Sequence, residues 1–347
     1  MATMKSVRTG EQNKIEVVDA QHPVPGAKDI LLRIRACGIC GTDATFVREG
    51  GVRLGPGGSV VPLVLGHEPA GEVVEVGAEV TDLKVGDRVV VNPQGATSDI
   101  FNIIGCGGPH GGMSEYLLIE DAVLGKSVVV FPESVPFDVA ALNEPMAVAR
   151  HCVNKSEAKP TDKVVVFGAG PIGLGVTIWL KLRGVEHVVV ADVIPGRLET
   201  ALAVGADAVI DSATEDVTAR LTELHGEGAD GLGQPRPDTD LYIDAAGAPA
   251  VFRTTVDSAK QGARLTMVAV QKKAEIDLGL MLPSELTIIS SQGYPTEIFE
   301  VTSELAEHQE RFAKLISHRI PLAEVEKAFD LALTPGAAEK VVVTFDE

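Results

Sequence analysis

The stretch KVVVFGAGPIG, Lys163 to Gly173, constrains the fold most: a β-branched run ends on Gly168-Ala169-Gly170-Pro171-Ile172-Gly173, and an apolar helical pattern follows at once. In that context each glycine has a task. Gly168 permits a tight turn, Gly170 lets backbone approach a pyrophosphate, and Gly173 lets the helix pack on its strand, with Pro171 and Ile172 opening the helix whose N-terminus faces the phosphates. Strand and helix patterns then alternate through HVVVADV, RLETALAVG, ADAVID, DLYIDAAG, ARLTMVAV and LTIISSQGY. A doubly wound parallel sheet of about six strands is the expected result. Asp192 closes the second strand 24 positions after Gly168. An acid there accepts ribose hydroxyls and repels a 2′-phosphate, so NAD is expected over NADP.

At 347 residues the chain exceeds one typical core, so a second domain is expected. From Lys14 to about Leu124 the pattern is strand-rich, with ILLRIRA, GEVVEVG and DRVVVNP punctuated by Gly, Pro and Asp. The fold class is therefore α/β, a β-rich domain joined to a parallel nucleotide-binding sheet. Val47 to Pro62 and Asn92 to Gly112 read as long loops, and Gly226 to Asp238 as a polar surface loop. The tail carries two amphipathic stretches, EIFEVTSELAEHQERFAKLI and LAEVEKAFDLAL, then a strand KVVVTF.

Cys40 and His67 stand in the short segments GICGTD and GHEPAGEVVEVG. A thiolate and an imidazole from separate segments suit zinc, and a carboxylate as third ligand leaves a fourth position open for chemistry. Glu68, next to His67, and Glu144, in ALNEPMAVARH, are the available carboxylates. Cys37 completes a CxxC with Cys40, but no second CxxC exists, and its place at the end of a strand reads as a small buried hydrophobe. Asp43 is placed to orient a metal-bound imidazole. His110 and His151 are rival ligands, read as solvated or structural.

A formal charge of −19 repels phosphate backbones, which argues against nucleic acid as a partner. No run of 18 apolar residues occurs and MATMKSVRTG lacks a signal-peptide core, so no membrane partner is expected and the cytoplasm is. Four scattered cysteines agree with a reducing compartment.

Taken together, GICGTD, GHEPAGEVVEVG, GDRVVV, GGMSEY, NEPMAVA, GAGPIG with Asp192, and LISHRIPLAEVEKAFDLAL resemble the zinc-dependent medium-chain alcohol dehydrogenases over nearly the whole chain. The butanediol, polyol and threonine dehydrogenase branch is the most similar. The resemblance implies a GroES-like catalytic domain at residues 1–152, a Rossmann NAD-binding domain at 153–292, and a return to the catalytic domain at 293–347. It places zinc on Cys40 and His67 with Glu68 and Glu144 as alternates, Thr42 on the substrate hydroxyl, Asp192 on the adenosine ribose with Arg197 beside it, and Lys340 at a pyrophosphate-contacting position. One catalytic zinc per chain is expected, because Asn92 to Gly112 holds only Cys106 where the family usually carries four cysteines.

Two further departures concern the pocket. Thr45 stands where the family often has a relay histidine, and Gly293 precedes Tyr294 where animal polyol dehydrogenases have an arginine. The implied activity is reversible, NAD-linked oxidation of a small secondary alcohol or vicinal diol, such as butane-2,3-diol, to the ketone. Sorbitol-like polyols and L-threonine are the alternative substrates. A zinc-free quinone reductase or a non-catalytic NAD-binding sensor of this fold would have no use for the ligand set. The family also implies a homodimer or homotetramer.

Overall fold

A computed structural model describes residues 2–55, 57–95, 102–270, 273–275 and 277–345. Residues 96–101 of the Asn92 to Gly112 loop and Pro56 of the Val47 to Pro62 loop lie outside the described residues. Two compact units form. One comprises Met1–Glu144, Ile298–Gln309 and Ile316–Glu347, and the other Pro145–Glu297 and Glu310–Leu315.

The first unit is built on a seven-stranded sheet. Its order is Ile316–Pro321, Lys340–Thr344, Ile30–Gly38, Glu68–Val76, Arg88–Val91 and Val128–Val130, with Tyr116–Ile119 also pairing to Ile30–Gly38. Ile30–Gly38 is central, and Ile30, Leu31, Leu32, Ile34, Ala36 and Cys37 are all fully buried. That explains its near-continuous apolar run: a strand with neighbours on both edges and both faces covered has little use for a polar alternation. The late-sequence strand Lys340–Thr344 pairs antiparallel with it, Val343 opposite Cys37. Helix Val325–Leu333 lays Val325, Ala328 and Phe329 into the same core as Val73, Val89 and Leu117. Its apolar positions recur three to four apart, as an amphipathic helix requires.

Two loop readings change in this unit and the other. Within Val47 to Pro62, a helix runs through Gly41–Glu49 and Val52–Arg53 pairs antiparallel with Val60–Val61. The Gly226 to Asp238 stretch also folds, as a hairpin of Glu227–Ala229 against Pro235–Pro237. Asp230 explains the hairpin: its carboxylate accepts the backbone N–H groups of Leu232 and Gln234 and pairs with Arg236, so a polar sequence closes its own turn.

The second unit is a six-stranded, wholly parallel sheet ordered Ala208–Asp211, His187–Asp192, Lys163–Phe167, Leu241–Asp244, Arg264–Met267 and Thr287–Ser290. This is the doubly wound order, with the first strand at the point where the chain reverses direction across the sheet. Val164, Val165, Val166, Val188, Val189 and Val190 are fully buried, as a sheet covered on both faces demands. Trp179 is buried, donates to the Met146 carbonyl and packs on Phe312, which fixes helix Pro171–Leu182. No helix among the described residues is long and apolar enough to cross a membrane.

Candidate metal and dinucleotide sites

Three chain segments meet at the metal-capable site of the first unit. Strand Ile30–Gly38 ends, Cys40 becomes the N-cap of helix Gly41–Glu49, and the Cys40 sulfur stands where the helix dipole favours an anion. Asp43 locks this turn. Its Oδ2 accepts the Cys40 N–H at 2.9 Å, its Oδ1 accepts the Gly66 N–H at 3.2 Å, and Oδ1 lies 3.6 Å from His67 Nδ1. One buried carboxylate thus sets both the thiol-bearing and the imidazole-bearing segments, and it leaves Nε2 of His67 turned away from Asp43.

Register supplies the third segment. Gly38 stands opposite Glu68 on one side and Val342 on the other, which brings Lys340 over the same spot. The Lys340 ammonium, with its side chain 2% exposed, donates to the Ile39 carbonyl at 3.0 Å and forms a very short ion pair with Glu68 Oε2. Gly38 makes room for that pair, since a Cβ there would fall 1.9 Å from Glu68 Oε2. The resemblance puts Lys340 on the pyrophosphate. In this structure its charge is committed to Glu68 and Ile39 and is withdrawn from the surface.

Ligand atoms of Cys40, His67 and Glu68 all lie within 4.8 Å of one another, the one such group of three among the described residues. Glu144, 8% exposed in the first turn of helix Asn143–Ser156, is not part of it. His67 Nδ1 and Glu68 Oε1 are buried without a hydrogen-bond partner, and thiolate, imidazole and carboxylate form a donor set suited to zinc. The residues fit the metal.

Electrostatics agree. Burial opposes a charge on His67, yet the nearby Asp43 and Cys40 hold its pKa well above the ordinary value. Anions that favour a proton at that point would favour a dication there too. Cys106 was not among the expected site residues. It follows the turn at Ile103, whose carbonyl accepts its N–H, and burial raises its thiol pKa against the pull of the nearby His67. Sequence offered one hint, a lone cysteine in the Asn92 to Gly112 loop.

Thr42 is exposed, with its hydroxyl 3.7 Å from the Cys40 sulfur. Thr45, also exposed, donates its hydroxyl to the Gly41 carbonyl at 3.1 Å. Cys37 is fully buried in the core, where burial raises its thiol pKa. His110 is not in the metal-capable group, and His151 pairs with Glu297 at 2.9 Å in the second unit.

In the second unit the glycine turn behaves as its spacing implies. Gly168 adopts φ 95, and a Cβ at Gly173 would fall 1.7 Å from the Gly168 carbonyl oxygen. Nothing lies within 4 Å of a Cβ built on Gly170, the N-cap of the helix that begins at Pro171. The space in front of Gly170 is what a pyrophosphate needs. Pro171 and Ile172 are half-buried. Asp192 is 8% exposed, and its carboxylate accepts the N–H groups of Ala169 at 2.6 Å, Val193 at 2.7 Å and Ile194 at 2.9 Å. It therefore ties the glycine turn to the end of the second strand, and keeps lone-pair capacity for a ribose diol. Arg197 follows on helix Pro195–Ala203.

The chain is similar to known proteins along most of its length. Residues 26–129 match the alcohol dehydrogenase GroES-like domain, and residues 171–308 match the zinc-binding dehydrogenase domain. The chain is 31% identical to (R,R)-butanediol dehydrogenase of Bacillus subtilis (strain 168), covering 98% of this chain and 99% of that protein. It is 30% identical to L-threonine 3-dehydrogenase of Yersinia pestis, covering 96% of each. Two solved structures superpose with TM-scores of 0.82 at 28% identity: an alcohol dehydrogenase of Escherichia coli CFT073 complexed with NADH, and a zinc-binding dehydrogenase of Sinorhizobium meliloti 1021 bound to NADP. Each alignment covers 99% of this chain and 100% of the other.

Proposed function

The chain belongs to the zinc-dependent medium-chain alcohol dehydrogenases, oxidoreductases acting on CH–OH groups, and from that premise we propose that its substrate is a small secondary alcohol or vicinal diol of the butane-2,3-diol kind. Gly293 carries this reading. It precedes Tyr294 with φ 66, a conformation that L side chains rarely adopt, so the backbone disfavours the arginine that would anchor a long polyol. The similarity to butanediol dehydrogenase supports the same class, while that to threonine dehydrogenase is nearly equal.

Cys40 and His67 would hold the metal, with Glu68 or Glu144 as the carboxylate donor. When bound, zinc supplies Lewis acidity that lowers the pKa of a substrate hydroxyl, and NAD supplies the hydride acceptor. Thr42 is the residue to receive the hydroxyl proton. Asp43, with Oδ1 3.6 Å from Nδ1, would orient His67 so that Nε2 can face the metal. Gly168, Gly170 and Gly173 admit the pyrophosphate, Asp192 holds the ribose and favours NAD over NADP, and Arg197 borders the adenosine. Thr45 relays poorly, because its hydroxyl hydrogen is engaged by Gly41 and a hydroxyl cannot store a proton as imidazole does.

Kinetics with NAD on butane-2,3-diol, simple secondary alcohols, sorbitol and L-threonine test the substrate class. The diol should have the highest kcat/KM, and a higher value for sorbitol or threonine would overturn the assignment.

The assembly we infer is a homodimer or homotetramer. Thr287–Ser290 is an edge strand of the parallel sheet, and Leu278 (69% exposed) and Leu282 (81%) lie just before it. An unpaired apolar edge is an aggregation hazard unless a second copy covers it. Light scattering at micromolar concentration should give a dimer or tetramer; a stable monomer would refute this. Four free cysteines, two of them fully buried, support a reducing compartment such as the cytoplasm.

A further inference from the structure

Two strands of the first unit meet at one end and part at the other. Strand Thr3–Thr9 and the segment leading into Tyr116–Ile119 are joined by an isolated antiparallel bridge between Ser6 and Ser114, whose hydroxyl oxygens lie 2.7 Å apart. The Val7 N–H on the Met113 carbonyl and the Glu115 N–H on the Lys5 carbonyl complete the joint. Beyond it each strand is committed elsewhere, the first to Ile15–Gln21 and the second to Ile30–Gly38. The gap left between them is a cleft of about 800 Å³. Met4 and Ser6 on one side and Ser114, Tyr116 and Leu118 on the other, positions two apart, line it.

Small-molecule sites run from roughly 300 to 1,000 Å³, and this cleft has a definite chemistry besides the right size. No Asp, Glu, Lys or Arg is among its described lining residues, although the chain carries a charge of −19. Burial also holds the His110 pKa below its ordinary value, so that imidazole is neutral at pH 7. A charged ligand would leave water here without a counter-charge. The rings of His22 and Tyr116 touch in the wall, with centroids 4.4 Å apart and planes tilted by 53°. His22 Nδ1 lies 2.9 Å from the Pro23 carbonyl, which can only accept, so Nδ1 carries the hydrogen and Nε2 of the neutral ring is an acceptor. Among the described residues neither that Nε2 nor the Tyr116 hydroxyl has a hydrogen-bond partner.

We propose that the cleft is a second small-molecule site, separate from the metal and dinucleotide sites, for an uncharged aromatic compound that carries one N–H or O–H donor. Its ring stacks on Tyr116 and His22 and lies against Met4, Val64 and Leu118, and its donor bonds His22 Nε2. Aromatic faces reward a flat partner, and a single placed acceptor fixes its orientation. Cys40, His67 and Glu68 line no part of the cleft, and the glycine turn belongs to the other unit.

Indole titrated into the zinc- and NAD-loaded protein, with its methionine methyl groups labelled with carbon-13, tests the site by NMR. Met4 lies in the wall while Met267 and Met281 lie in the other unit. Saturation should therefore move the Met4 resonance, identified by its loss in Met4→Leu, and leave those of Met267 and Met281 in place. Removing the stacking ring in Tyr116→Leu should raise the indole Kd roughly tenfold, and His22→Leu should raise it roughly fivefold, with the unmoved methionine resonances showing that each variant is folded. Indole-3-acetate, the same ring with a carboxylate, should bind at least about tenfold more weakly than indole. A Met4 resonance that shows no saturable shift would overturn the proposal, as would an indole Kd unchanged in both variants. Equal binding of indole-3-acetate would overturn the uncharged class, and displacement of indole by butane-2,3-diol would make the site the substrate's own and overturn its separateness.

Discussion

Replacing Lys340 by methionine isolates one charge in the most buried part of the site. The substitution keeps an unbranched side chain of similar length and removes the ammonium that neutralises Glu68, whose side chain has no exposed surface. Breaking a buried pair by removing one partner costs about 3–5 kcal/mol, because the remaining charge is stranded in low dielectric. For a folding unit of roughly 150–250 residues that corresponds to a fall of about 6–20 °C in Tm. The loss should be largest without metal. Glu68 Oε1 has no hydrogen-bond partner and faces the Cys40 and His67 donors, so a carboxylate released from Lys340 can turn to zinc and regain a counter-charge.

The assay is thermal unfolding of wild type, Lys340→Met and Lys340→Met/Glu68→Gln, each with and without zinc. Glu68→Gln removes the stranded charge, so the double variant should recover most of the metal-free loss; zinc should narrow the gap for the single variant while lowering its kcat. The pH dependence has a fixed sign. Burial depresses the Lys340 pKa, but Glu68 and Cys40 outweigh it and raise the value above its ordinary 10.5. The contribution is therefore complete at neutral pH and is lost only as pH rises through the raised value. A metal-free Lys340→Met protein melting within about 2 °C of wild type, or a double variant no better than the single, would refute the reasoning.

Elemental analysis should find one zinc per chain in wild type and almost none in Cys40→Ala; two per chain would reveal a site the cysteine inventory does not supply. Asp192→Ala should lower the NAD over NADP ratio of kcat/KM by at least about tenfold, ~1.4 kcal/mol, and a wild type that already prefers NADP would overturn the role of that carboxylate. Burial, then His187 and Lys163, lower the His225 pKa to about 4. The unfolded chain binds that proton near 6.5, so stability is complete above this pH and about 3 kcal/mol of it is lost as pH falls through 4. His225→Gln should flatten the Tm against pH curve over that interval, and an unchanged slope would contradict it. Thr45→His should raise kcat below neutral pH by adding a group that can carry the proton; an identical pH–rate profile would eliminate Thr45 as a point on the path.

Legibility followed locality. The glycine turn could be read because strand, turn, helix and acid all fall between Lys163 and Asp192, and each has a periodic or steric signature of its own. Helix Gly41–Glu49 escaped because GTDATFVRE carries no clear apolar stripe; it is fixed instead by Asp43 reaching back to the Cys40 N–H. The Glu227–Ala229 hairpin escaped for the opposite reason: its glycines and prolines signal a turn, and the sheet bonds around that turn are too few to leave an alternating pattern. The inward turn of Asp192 toward Ala169 was likewise invisible, since a ribose-binding acid and a turn-holding acid occupy the same position.

The metal site shows where a motif stops being sufficient. GICGTD and GHEP identify donors, but nothing in either segment says what charge faces Glu68. That is decided by Lys340, 272 positions from Glu68, which reaches it only because Gly38 pairs with Glu68 on one edge and Val342 on the other. The missing side chain at Gly38 is part of the same device, because any Cβ would occupy the place of Glu68 Oε2. A ligand set read from sequence is thus a list of candidates. Which of them bind depends on the charges that distant strands bring alongside: Lys340 already holds Glu68, so a metal that takes this carboxylate must share it with the ammonium.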